Sequence, residues 1–176
     1  MVTYVGFLRA VNVGKRQVKM ATLCDVLTDA GFEGVETFIA SGNVRVGTRM
    51  RSQAKVEQAI ESALEAWLGF DVPTIARTCA QLRAAKEIGD VLQNPLAGGA
   101  RHYVAVLKKP PTTTPTAELA GWDAPEERIE VHGREVHLWL ASARPKITNA
   151  RLEKIVGTVA TMRDWKTIDR LVDRWC

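Results

Sequence analysis

Sulfur chemistry is thin in this chain. Cys24, Cys79 and Cys176 stand far apart, odd in number and outside any Cys-x-x-Cys spacing. A disulfide-stapled scaffold and a thiolate metal centre are thereby excluded as organising principles. All three are expected to be free thiols of a reducing compartment, Cys24 in an apolar core and Cys176 exposed. No apolar run reaches the roughly 18 residues of a membrane helix. The opening MVTYVGFLRA also lacks the basic first segment of a signal peptide. A cytoplasmic protein with no membrane role is expected. His102, His132 and His137 have no cysteine or acid at ligand spacing, and His132 and His137 are expected on opposite faces of a hairpin. Neither a metal nor a cofactor is expected. Gly-x-Ser-x-Gly is missing, as is any cysteine with an evident catalytic partner. There is no Walker A spacing and no Gly-x-Gly-x-x-Gly, which disfavours a nucleoside-triphosphate fold.

What the chain does contain is an alternation of short strands and amphipathic helices. Residues 2–8 are almost continuously apolar and β-branched or aromatic, the pattern of a strand buried on both faces. Met20, Leu23, Cys24 and Leu27 share one helical face, and Gly31 stands where that helix should stop. Residues 35–40 and 44–47 flank Ser41-Gly42-Asn43 as a hairpin. Ser52 is placed to cap a helix with the stripe Val56, Ala59, Ile60, Ala63, Leu64, Trp67 and Leu68, which Gly69 ends. A strand at 72–77 and a short helix at 80–88 complete this half.

After the Pro/Gly break at 94–99 the same order returns. A strand at 102–108 precedes a short helix, with Thr114 as cap and Pro115 at its first position. Strands at 128–131 and 135–140 flank His132-Gly133-Arg134. A helical stripe runs through Leu152, Ile155, Val156 and Val159. A strand at 160–165 and a last helix capped by Thr167 follow. Each half therefore reads β-α-β-β-α-β with a trailing helix. The expected fold class is α+β: two tandem ferredoxin-like units, or α/β plaits, with antiparallel sheets and a C-terminal helix. The units are expected at 1–98 and 99–176. The duplication is read from element order, since little residue-level repeat stands out.

Charge is the best functional clue. The net charge is only +4, yet the basic residues are segregated. Arg9, Lys15, Arg16 and Lys19 have no acid among the first 24 residues. Arg45, Arg49, Arg51 and Lys55 form a second acid-free stretch, and Arg144, Lys146 and Arg151 a third. Loops at one end of the plaits would then create a positive field; the alternative is ordinary solvated Lys and Arg. Glu126 and Glu127 lie in an acidic stretch expected to be solvated.

The opening loop, FLRAVNVGKRQVKM at 7–20, is a candidate phosphate cradle. Asn12 and Gly14 between a strand and a helix can aim backbone N–H groups at an anion. The structural alternative is that Asn12 ties the loop and Gly14 supplies a positive φ. Ser41 and Asn43 are first of all turn residues. The hairpin they belong to is expected at the opposite end from the first strand's exit unless the long opening loop returns. In the second hairpin Val131 should face Val136, Ile129 face Leu138, Glu130 face His137 and Arg128 face Trp139. Trp139 then offers a stacking surface for a base, or is covered by other parts of the protein. Arg163 and Trp165 are read as neighbours on one strand face, an anion clamp beside Lys146 or a packed pair.

Three segments, LR-x-x-NVG at 8–14, SGN at 41–43 and R-x-W-x-T at 163–167, resemble the bacterial family called domain of unknown function 1697. The resemblance runs along nearly the whole chain and implies two α/β plaits in tandem. Ala10 and Lys15 stand where the family usually has glycine, Asp164 where it has Asn, and only Lys146 of the ARPKITN stretch maps onto its Gly-x-Ser-Lys-Leu pattern. It implies no activity. The reading is of a protein binding an anionic ligand, nucleic acid or a phosphorylated metabolite, through Arg9, Asn12, Gly14, Lys15, Ser41, Asn43, Lys146, Arg163 and Trp165. An enzyme on a small phosphorylated substrate and a protein-interaction module are the alternatives, an enclosed pocket favouring the enzyme. Oligomeric state is left open.

Overall fold

The computed structural model describes every residue except 13, 15, 16, 97 and 98. The chain divides into two compact units, Met1–Leu82 with Trp175–Cys176, and Arg83–Arg174.

The first unit contains β1 (Val2–Leu8), α1 (Met20–Asp29), β2 (Glu33–Phe38), β3 (Asn43–Thr48), α2 (Gln53–Leu68), β4 (Thr74–Thr78) and the start of α3 (Cys79–Val91). Its sheet is antiparallel, in the order β2-β3-β1-β4. The helical stripes go where their periodicity sends them: Leu23 and Leu27 of α1 and Val56, Ile60 and Leu64 of α2 bury against Tyr4, Leu8, Val44 and Val46. Each such side chain contributes about 2 kcal/mol of burial. Ser52 caps α2 by accepting from the Lys55 amide, and Gly69 ends it at φ 73°.

Two carboxylates of α2 also seal the outer edge of β4. The Thr74 amide donates to Glu61 Oε1 at 2.7 Å and the Ala76 amide to Glu57 Oε1 at 2.9 Å. These amides would otherwise be open edge donors.

The second unit contains β5 (Arg101–Leu107), α4 (Thr113–Ala120), β6 (Glu127–His132), β7 (Glu135–Leu140), α5 (Asn149–Val156), β8 (Ala160–Asp164) and most of α6 (Trp165–Trp175). Its sheet repeats the order as β6-β7-β5-β8. The hairpin register is the expected one, with Val131 opposite Val136 and Arg128 opposite Trp139. The chain is thus α+β, two β-α-β-β-α-β units each with a trailing helix. No helix among the described residues is long and apolar enough to cross a membrane.

Several expectations fail for local reasons. Cys79 and Cys176 are not free thiols: they form a disulfide, and Cys24 is the free cysteine. Sequence spacing cannot see this pairing, because 97 residues separate the partners. α4 starts at Thr113, with Thr112 at its N-cap, so Pro115 lies inside the first turn. β8 stops at Asp164, whose Oδ1 accepts from the Lys166 amide at 2.9 Å and turns the chain into α6. The cap of α6 is therefore Asp164 and not Thr167. Thr78 and Gln81 do the same for α3 through reciprocal bonds of 3.0 and 3.3 Å, a capping box.

The duplication reaches individual residues. Strand register equates Tyr4 with Tyr103 and Arg77 with Arg163. Both arginines are buried, and each donates to the carbonyl of the preceding residue. Glu153 of α5 accepts from the Ala160 amide just as Glu61 accepts from Thr74.

Candidate functional site

In the first unit the opening loop folds onto the β2–β3 turn. β1 runs antiparallel to β3, with Phe7 opposite Asn43, so the exit of β1 and the hairpin lie at the same end. The expectation of opposite ends is corrected by that strand direction. The Leu8 amide donates to the Gly42 carbonyl at 2.8 Å. Gly42 sits at φ 79°, and a Cβ there would come within 3.0 Å of the Leu8 side chain. Asn12 Nδ2 donates to the Ala40 carbonyl at 2.9 Å, while its Oδ1 accepts from the Val18 amide at 2.6 Å. Asn43 is fully buried and donates to the Phe38 carbonyl and Ser41 Oγ. The side-chain amides of Asn12 and Asn43 are thus engaged in holding loop and turn together. Arg9 is half-buried, its amide bonded to the Pro73 carbonyl. Gly14 is exposed at φ 62°, with open space where a Cβ would stand. Lys15 lies outside the described residues.

In the second unit Lys146 does not meet Arg163 and Trp165. Met162 packs on the helix-covered core, so Arg163, one residue on, points to the other face of the sheet. Arg163 donates to Thr161 Oγ1 at 2.7 Å, and burial lowers its pKa to about 10. Trp165 is helical and does not alternate with Arg163 on a strand. It stacks on His102, ring centres 5.0 Å apart, and His102 stacks on Trp139 at 4.7 Å. Trp139 is 1% exposed, so it is the covered tryptophan and no stacking platform.

His132 and His137 share one face, their rings meeting edge-on at 5.5 Å. His132 pairs with Glu135 across the turn, and Glu135 and His137 are two apart on one strand, which fixes that common face. His102 Nε2 and His137 Nδ1 are 3.0 Å apart, and burial lowers the pKa of both, His137 to about 3. Among the described residues no group of three or more His, Cys, Asp or Glu is arranged to hold a metal ion.

A cavity of about 590 Å³ opens on the helix-covered side of this second sheet. Its floor is Tyr103, Leu140 and Met162; its polar lining includes Arg101, Ser142, Thr148 and Asp164. The wall is the β7–α5 connection, residues 141–148. Glu127 fastens that wall: its carboxylate accepts from the Lys146 amide and, at 3.1 Å, from the Ile147 amide, while Trp122 Nε1 donates to it at 2.8 Å. Glu127 is therefore buried and not solvated, because it shares the inward face of β6 with Ile129. Lys146 is exposed on the wall. Thr148 caps α5, accepting from the Arg151 amide, so the positive end of that helix borders the cavity. The Tyr103 hydroxyl first, then the nearby Asp164 charge, raises the already high pKa of Arg101.

The first unit shows why the cavity exists. There Tyr4 is 1% exposed, and its hydroxyl donates to the Arg51 carbonyl at 3.1 Å. The connection 49–52 closes over it, whereas 141–148 is twice as long and leaves Tyr103 open. Arg101, Tyr103, Ser142 and Asp164 were not singled out from sequence. The signal available was the parallel between TYVGFLR and HYVAVLK, which exposes the unequal loops.

The fold has a close match among solved structures. A conserved bacterial protein from Streptococcus pneumoniae, SP0830, superposes with a TM-score of 0.73 at 22% identity, covering 98% of this chain and 97% of that one. No curated protein matches the chain. The model of a protein family of unknown function, DUF1697, matches residues 1–137. Its match takes in the β1–α1 loop, both strands of each hairpin apart from the end of β7, and Glu127, so the chain belongs to the DUF1697 family.

Proposed function

We propose that the protein binds a small phosphorylated metabolite in the cavity of the second unit. The observation that carries this reading is a half-open cavity of about 590 Å³ that joins Arg101 and the N-terminal end of α5 to an apolar floor. That volume suits a metabolite and not a strand of nucleic acid. A guanidinium supplies paired donors for phosphate oxygens, and the helix terminus adds partial positive charge. Exposed Lys146 on the wall supplies long-range attraction. Thermal-shift and calorimetric titration with inorganic phosphate, pyrophosphate, sugar phosphates, nucleotides and a short RNA tests it. Arg101→Ala should weaken the best ligand by about 10- to 100-fold, the loss of one charged hydrogen-bonding partner. No saturable response to any anion would defeat the reading.

A second reading places an anion at the β1–α1 loop, on Arg9 and the exposed Gly14, beside the turn that carries Ser41, with Lys15 of the same stretch adding to its positive charge. What favours it is strain. Among the described residues the non-glycine positions with positive φ are Ala10, Asn12 and Ile39, all in this loop and the turn it touches. Strained backbone gathers at functional loops. Binding there would fall steeply with salt and with Arg9→Ala, and would ignore Arg101→Ala.

A further inference from the structure

The second unit's cavity holds a carboxylate as well as a guanidinium, and that combination narrows the ligand. We infer that the cavity selects a monophosphate carrying hydroxyl groups, a sugar phosphate or ribonucleoside monophosphate, over a bare phosphate or polyphosphate; this rests on the anion reading of the same site.

Asp164 lines the cavity. Its Oδ1 is engaged by the Lys166 amide, and no partner is found for Oδ2 among the described residues. It raises the pKa of Arg101 through space without forming an ion pair with it. A ligand that brought only negative charge would satisfy Arg101 and be repelled by Asp164. A ligand with hydroxyl donors beside its phosphate satisfies both, because a carboxylate accepts and a guanidinium only donates. Tyr103, Leu140 and Met162 then pack the C–H face of a sugar ring. One arginine and one opposing carboxylate suit a single phosphoryl group, and each further phosphoryl adds repulsion.

The duplicated scaffold supplies independent support. By strand register Asp164 occupies the position of Thr78, and Arg101, two residues before Tyr103, that of Val2. At those two strand positions the first unit has the uncharged Val2 and Thr78, and its tyrosine is sealed by the Met50 and Arg51 carbonyls. Three differences therefore coincide in one place: an added cation, an added anion and a doubled loop. Random surface drift has no reason to gather them around one cavity.

Asp164→Asn is the discriminating variant. Asn caps a helix about as well as Asp, so α6 is kept, and the unliganded melting temperature reports on that directly. Calorimetry on the full chain would compare inorganic phosphate, methyl phosphate, ribose 5-phosphate, glucose 6-phosphate, AMP and ATP. The wild type should bind at least one hydroxyl-bearing monophosphate about tenfold or more tighter than methyl phosphate. Asp164→Asn should erase most of that preference and tighten methyl phosphate binding, because the carboxylate that repels a bare anion is gone. Arg101→Ala should weaken both classes. Equal affinity for methyl phosphate and sugar phosphates, a preference for ATP, or a preference that survives in Asp164→Asn overturns this inference while leaving anion binding intact. Silence toward every compound overturns both.

Discussion

His137 shows how a side chain's position changes its chemistry. It is fully buried in contact with His102 and near His132, Trp139 and Trp165, with Glu130 across the strand pair. Burial first, then the charges of His102 and His132, lowers its pKa from 6.5 to about 3. The folded protein holds it neutral, while the unfolded chain protonates it near its ordinary value. Its contribution to stability is complete above about pH 6.5 and declines as pH falls toward 3. Unfolding free energies from urea titrations across that range should fall by up to about 1.4 kcal/mol per pH unit from this group. His137→Gln should flatten the acid slope, and an unchanged slope would contradict the assignment. Ala10 illustrates the opposite case, where sequence spoke first. The resemblance implied a glycine at this position, and the φ of 57° that Ala10 adopts is a conformation glycine favours.

The helices that cover the two sheets also finish their edges. Glu57 accepts from both the Ala76 amide and Gln53 Nε2, and is 4% exposed. Glu57→Ala should cost about 1–3 kcal/mol, since it strips a buried amide of its partner. Glu57→Gln, which keeps an acceptor oxygen, should cost clearly less. Chemical denaturation of the three proteins decides this; equal stabilities would mean that α2 shields β4 by packing alone. Helix existence was legible because Val56, Ile60 and Leu64 repeat at helical spacing. Helix starts were legible at Ser52 and misread at Thr167. The cap of α6 is Asp164, and seeing it requires knowing where β8 ends, which is decided by pairing of Asp164 with Tyr103.

For the molecule as a whole, the duplication is the main fact. Two copies of one strand order carry matching tyrosines, matching buried arginines and matching helix-to-edge glutamates. They differ where the loop after the third strand differs, and there one copy is sealed and the other hollow. The Cys79–Cys176 disulfide ties the start of α3 to the C-terminus across 97 residues of sequence. Closing a loop of that length removes about 4–5 kcal/mol of unfolded-chain entropy. Melting under a thiol reductant, or of Cys176→Ser, should therefore drop by several degrees, and unchanged melting would show the bond to be energetically idle.

The amino-acid pattern alone determined the order of elements, the plait topology, the register of the second hairpin and the basic stretches, because periodicity and turn chemistry act over a few residues. Tertiary structure decided what those residues are free to do. It engaged the amides of Asn12 and Asn43, buried Trp139 and Arg163 away from Lys146, and joined two cysteines. It also gathered Arg101, Tyr103, Ser142 and Asp164, from three separate stretches, around one cavity. Those outcomes depend on strand pairing and loop length between distant segments, and no local spacing encodes them.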